Sequence, residues 1–120
     1  MNPNPKISKL INQTKKTCLA EEVAVADTVW LRMRGLLGKK ELKKGQTLVL
    51  NPCNSVHTFF MRFPIDVVFV STQNRVVKTI SSLKPFRHTG IYFRARFTVE
   101  LPAGTIQETL TREGDTLSFL

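Results

Sequence analysis

The sequence predicts a small α+β, β-rich domain, a curled or barrel-like sheet with one main helix and one short helix. Three observations predict it. The chain has 120 residues, the usual size of one domain. Hydrophobic residues make up 42% and charged residues 22%, a globular balance far from that of disordered chains. The apolar residues fall mostly into short runs rich in Phe, Val, Ile and Thr, interrupted by one segment of helical period. The eight Phe all lie after position 58, so the core is expected there.

Met1 to Thr17 is rich in Asn, Pro, Lys, Ser, Gln and Thr, which reads as a flexible basic leader, with residues 18–120 as the single domain. Cys18 to Ala26, where Val23 and Val25 alternate with small or charged neighbours, reads as a first strand. Asp27 is the expected helix N-cap. From Thr28 to Leu37 the apolar Val29, Trp30, Met33, Leu36 and Leu37 recur at helical intervals. Gly38 suits the stop, and Lys39, Lys40, Lys43 and Lys44 beyond it complement the negative end of the helix.

Thr47 to Leu50 is a short apolar strand, ended by a turn over Asn51, Pro52, Cys53 and Asn54. His57 to Phe63, Ile65 to Ser71 and Arg75 to Ile80 read as strands. Pro64 separates the first two, and Thr72 to Asn74 joins the last two as a hairpin. After the turn-prone Lys84 to Gly90, alternation predicts a strand with Ile91, Phe93, Ala95, Phe97, Val99 and Leu101 on one face. Tyr92, Arg94, Arg96, Thr98 and Glu100 form a solvated face opposite. Thr105 to Leu110 reads as the short helix, Gly114 and Asp115 as a turn, and Thr116 to Leu120 as the final strand.

Eighteen basic against nine acidic residues give a net charge of +9. Residues 1–44 hold ten basic and four acidic groups, so the N-terminal third carries most of the field. Such a charge attracts polyanions and predicts weak, nonspecific nucleic-acid binding. No apolar run follows the first lysines as in a signal peptide, and no stretch approaches the roughly 18 apolar residues of a membrane span. A cytoplasmic location without a membrane span is expected, with Cys18 and Cys53 as reduced thiols.

Four ordered blocks stand out: RMRGLLGKKEL from Arg32 to Leu42, NPCNSVHTFFMRFPIDVVF from Asn51 to Phe69, VELPAGT from Val99 to Thr105 and REGDTL from Arg112 to Leu117. In these blocks the chain resembles the domain of unknown function 192 family, over about residues 20 to 120. The resemblance implies a compact β-rich, barrel-like domain with short helices and brings no catalytic residues to carry over. Leu110 and Thr111 depart from the Gly-Ile pair frequent in the family before the final turn. Some family members carry an export signal that this sequence lacks.

The candidate ligand site is Cys53, His57, Arg62 and Asp66. Thiolate with imidazole is a pairing used for zinc and for nucleophilic catalysis. In extended chain Cys53 and His57 stand about 13 Å apart at roughly 3.3 Å per residue, so only a turn at Asn54 and Ser55 brings them together. Beyond them, Cys18, His88 and the carboxylates supply no second close ligand pair, and neither a metal nor a cofactor is expected.

Arg62 offers charge to Cys53, and Asp66, entering an apolar strand, requires a partner: Arg62, Arg34 or nearby backbone N–H groups. Alternatively Asp66 and His57 form the polar centre of a ligand pocket. Tyr92, Arg94 and Arg96 form a weak single-strand nucleic-acid signal, and Gly35 and Gly38 make no phosphate loop. The leading expectation is a non-enzymatic binding or accessory domain for a small ligand or a protein partner. The alternatives are a small hydrolase or transferase using Cys53, His57 and Asp66, and a nucleic-acid-binding protein.

Overall fold

Eight strands and two short helices form two sheets within residues 8–120, the part of the chain that the computed structural model describes. In chain order they are β1 (Leu10–Asn12), β2 (Thr17–Ala20), β3 (Glu22–Ala26), α1 (Val29–Arg34), β4 (Gln46–Leu50), β5 (Ile65–Val70), β6 (Val76–Leu83), β7 (Phe97–Pro102), α2 (Thr105–Thr109) and β8 (Leu117–Phe119). The small sheet has the order β2-β1-β8 and the large one β3-β4-β7-β5-β6. Only β3 and β4 pair in parallel, and the crossover that parallel pairing requires carries α1. The sheet curls without closing into a barrel.

β5 and β7 lie inside the large sheet, and both of its faces are covered there, so their residues are buried in near-continuous runs. On one face Val49, Val68, Val99 and Leu101 pack with Leu10, Leu19 and Leu117 of the small sheet. On the other, Leu48, Leu50, Val67 and Phe69 pack under Leu36, Met61 and Ala95 from the irregular connections. These connections therefore act as the second cover of the sheet.

The polar leader expectation reaches too far into the chain. Its first seven residues lie outside the described residues, but Leu10–Asn12 is strand, with Leu10 and Asn12 buried. The polar side chains that suggested a leader are structural partners here. Asn12 Nδ2 donates to Asp115 Oδ2 at 2.9 Å, Gln13 Nε2 to Ser118 Oγ at 2.7 Å, and Thr17 Oγ1 to the Thr109 carbonyl at 2.8 Å.

Other elements are shifted or split. The strand expected over Cys18 to Ala26 is two strands in different sheets, parted at Glu21, whose N–H donates to the Gly45 carbonyl. Thr28 rather than Asp27 caps α1, its Oγ1 accepting from the Leu31 N–H at 3.1 Å, and the helix stops at Gly35. Val29, Trp30 and Met33, the apolar residues that recur at helical intervals, are exposed.

His57 to Phe63 is not a strand: beyond a single bridge from His57 to His88 it runs through turns, with Phe60 in the left-handed region at φ 64°. The strand expected from Ile91 begins only at Phe97, because Tyr92 and Ala95 are held in turns by the Asn54 and Tyr92 carbonyls. Thr98 and Glu100 are buried, since β7 sits between β4 and β5 and has no solvated face. The hairpin about Asn74, the short helix α2 and the final strand lie where expected.

Candidate functional site

A cleft of about 100 Å³ opens between the end of α1 with its following turn, Arg32 to Leu37, and the irregular segment after β4. Cys53, Ser55 and His57 form one wall, Leu36, Leu50 and Met61 supply apolar lining, and Glu100 of β7 reaches it from the sheet. Cys53 and His57 both line this cleft, with a bend at Asn54 between them. Segment 53–62 runs beside segment 84–96, tied by Cys53 N–H to the Arg96 carbonyl at 2.9 Å and Tyr92 N–H to the Asn54 carbonyl at 2.9 Å.

Thr58 anchors this pairing. It is fully buried; its N–H donates to the Arg87 carbonyl at 2.8 Å, its carbonyl accepts from Phe86 N–H, and its Oγ1 accepts from Arg87 N–H at 3.0 Å. The hydroxyl donates toward the Lys84 and Arg87 carbonyls.

Cys53 Sγ directs its hydrogen to the Ser55 carbonyl at 3.1 Å. His57 Nδ1 accepts from the Phe59 N–H at 3.3 Å, and its ring stacks on Phe59 with centroids 5.1 Å apart. The two reactive side chains share a cleft, yet these atoms are engaged with backbone rather than with each other. Among the described residues, no group of three or more His, Cys, Asp or Glu is arranged to hold a metal ion.

Glu100 is the unusual group. Only 4% exposed and set among Leu48, Leu50 and Val67, its Oε1 has no hydrogen-bond partner among the described residues. Burial pushes its carboxyl up to about 8, so the group is protonated at neutral pH and presents a neutral donor to the cleft. Arg32 and Arg34 stand on the opposite wall, Arg32 Nη1 donating to the Asp27 carbonyl at 3.3 Å.

The other two candidate residues do not join them. Arg62 is exposed and does not line the cleft. Asp66 is fully buried in β5: Oδ1 accepts from Ser82 N–H at 2.8 Å, and Oδ2 from Gly104 N–H at 3.1 Å and Ile106 N–H at 2.8 Å. Of the partners considered for Asp66, backbone N–H groups are the ones present, and neither Arg34 nor Arg62 pairs with it. A Cys53, His57 and Asp66 constellation is therefore not assembled.

Residues 10–119 match the family described as uncharacterized ACR, the domain of unknown function 192. The chain belongs to this family. A UPF0127 protein of Thermococcus gammatolerans is 35% identical over 117 residues, covering 92% of this chain and 74% of the relative. The fold is shared with a protein of unknown function from Novosphingobium aromaticivorans, with TM-score 0.80 and 15% identity over 93% of this chain and 83% of that one. It is also shared with a candidate transcription regulator from Sinorhizobium meliloti, with TM-score 0.83 and 16% identity over 99% and 96% of the two chains.

Leu110 ends α2 in the left-handed region at φ 60° and ψ 28°, a conformation that glycine adopts without strain.

Sequence reasoning assigned Glu100 to a solvated face and so missed it. The available signal was its position between Val99 and Leu101. A carboxylate inside an apolar strand needs an explanation, and the question asked of Asp66 applied equally to Glu100.

Proposed function

We propose that this domain is a non-catalytic binding module, and that its cleft receives a small acceptor-bearing group, a carboxylate or similar oxyanion, against Glu100. The observation that carries the reading is the buried Oε1 of Glu100 at the cleft, which has no hydrogen-bond partner among the described residues. A desolvated polar atom without a partner costs free energy in the empty site, and a ligand that pairs with it recovers that cost. A protonated carboxyl donates, so the matching ligand atom accepts, and the Arg32 and Arg34 guanidiniums favour negative charge. A cleft of about 100 Å³ admits an acetate-sized group, alone or as the end of a longer molecule. Cys53 and His57 act here as lining, since the thiol hydrogen is directed to Ser55.

Titration with acetate, followed through backbone amide resonances, tests the reading. Saturable shifts at Leu36, Cys53, His57 and Glu100 are expected. Glu100→Gln, which still donates, retains them, whereas Glu100→Ala weakens binding by about tenfold, the worth of one good hydrogen bond. Binding by the wild type fades as pH rises through about 8 and the carboxyl ionises. Equal affinity of wild type and Glu100→Ala would reject the assignment of Glu100.

A further inference from the structure

We infer that the face built by α1 and the paired segments 53–62 and 84–96 docks on an anionic lipid membrane surface. Large apolar side chains stand out from this face: Trp30 is 70% exposed, Phe60 77% and Phe86 55%. Phe60 and Phe86 both occupy left-handed backbone, at φ 64° and 61°, and their rings meet edge to face with centroids 5.5 Å apart. The buried Thr58 holds both turns through backbone bonds, so the rings are carried outward by ordered structure. Met33 and His57 line one cleft, and His57 stacks on Phe59, which joins the helix to the two turns as one surface.

The charge around the Phe turns is of one sign, and Asp27 is the exposed acidic group next to α1. Between positions 42 and 99 the single acidic residue is Asp66, which is buried and bonded to backbone. Arg62, Lys84 and Arg87 are exposed beside the Phe turns, and Arg32 and Arg34 flank Met33. Among the described residues none of these five cations forms an ion pair. Several large apolar groups exposed on one face mark an interaction surface, and cations around them select an anionic partner.

Of the anionic partners, a bilayer fits the apolar groups better than a nucleic acid does. Bases stack on flat aromatic platforms, whereas Phe60 and Phe86 lie at 72° to each other and Val29 and Met33 have no π face. The boundary between headgroups and acyl chains accepts all of these side chains, while arginine and lysine reach outward to lipid phosphates.

The test is co-sedimentation of the full chain with vesicles of phosphatidylcholine alone and of phosphatidylcholine mixed with phosphatidylglycerol, at physiological ionic strength. Trp30 is the one tryptophan of the chain and reports insertion by its emission. Binding to the mixed vesicles with a blue shift of Trp30 is expected. Combined Phe60→Ser and Phe86→Ser substitution lowers the partition coefficient by about tenfold or more, as expected for removing two apolar groups that become buried. Circular dichroism of that variant checks that the fold is retained, and the cation variant Arg62→Gln with Arg87→Gln supplies an independent loss. Failure to bind the mixed vesicles overturns the inference. So does equal binding by the serine variant, which would reduce the attraction to charge, or binding to a single-stranded oligonucleotide with no binding to vesicles.

Discussion

The carboxylate of Asp66 accepts the N–H of Ile106 at 2.8 Å, which fastens the first turn of α2 to the middle of the large sheet. The same carboxylate takes the N–H of Gly104, whose left-handed φ of 100° turns that group toward β5, and the N–H of Ser82 on β6. One side chain thus stitches three separate parts of the chain.

Asp66→Ala should lower the unfolding free energy by about 3–4 kcal/mol, because charge-assisted bonds are lost and buried donors are stranded. Asp66→Asn, retaining one acceptor oxygen, should cost less. Urea denaturation of the two variants measures the difference, and a neutral Asp66→Ala would refute the anchoring role.

Glu100 makes stability fall with rising pH. Below its ordinary 4.5 both folded and unfolded chains hold the proton; between 4.5 and about 8 only the folded chain does. Across that window stability declines by ~1.4 kcal/mol per pH unit and then levels off. Glu100→Gln should remove this slope. Asp115 works in the opposite sense. Burial raises its carboxyl, but hydrogen bonds from Asn12, Lys15 and the Arg112 N–H, with the Lys15 charge, outweigh burial and lower it. Its contribution is present above its ordinary 3.8 and disappears as pH drops through the lower folded value. Denaturation across pH for wild type and Glu100→Gln separates the two.

Leu110→Gly should stabilise the protein by about 0.5–1 kcal/mol. The left-handed backbone costs a leucine about 1–2 kcal/mol, glycine returns part of this through its unfolded-state freedom, and the exposed side chain contributes little packing. A lower melting temperature for the glycine variant would contradict this.

Thr58→Val keeps the shape of a buried side chain and removes the hydroxyl that serves Lys84 and Arg87. A loss of about 2 kcal/mol is expected, with faster amide exchange concentrated at residues 84–92. Uniform exchange across the molecule would argue against a local role.

The strands whose side chains face a covered sheet were readable because burial leaves a plain mark: Ile65–Val70 is apolar at every position but Asp66, and Leu48 to Leu50 is apolar throughout. Alternation misled at Ile91 to Arg96, where Ile91 and Phe93 carry the same pattern as Phe97 and Val99 but are exposed in turns. Local pattern does not reveal that the Asn54 carbonyl, far off in sequence, captures Tyr92. Half of the candidate site was legible for a related reason. Cys53 and His57 are near in sequence and share a cleft, whereas Glu100 joins them only through the pairing of β7 with β4.

Leu10 pairs with Phe119, and Lys9 and Leu120 exchange backbone hydrogen bonds, across almost the whole described chain. Such a contact closes the longest loop available and gains nothing until everything between has been ordered. The small sheet should therefore be the last part to gain protection during refolding. Substitutions in β1 or β8 should then act mainly by accelerating unfolding, with little effect on the rate at which the large sheet forms.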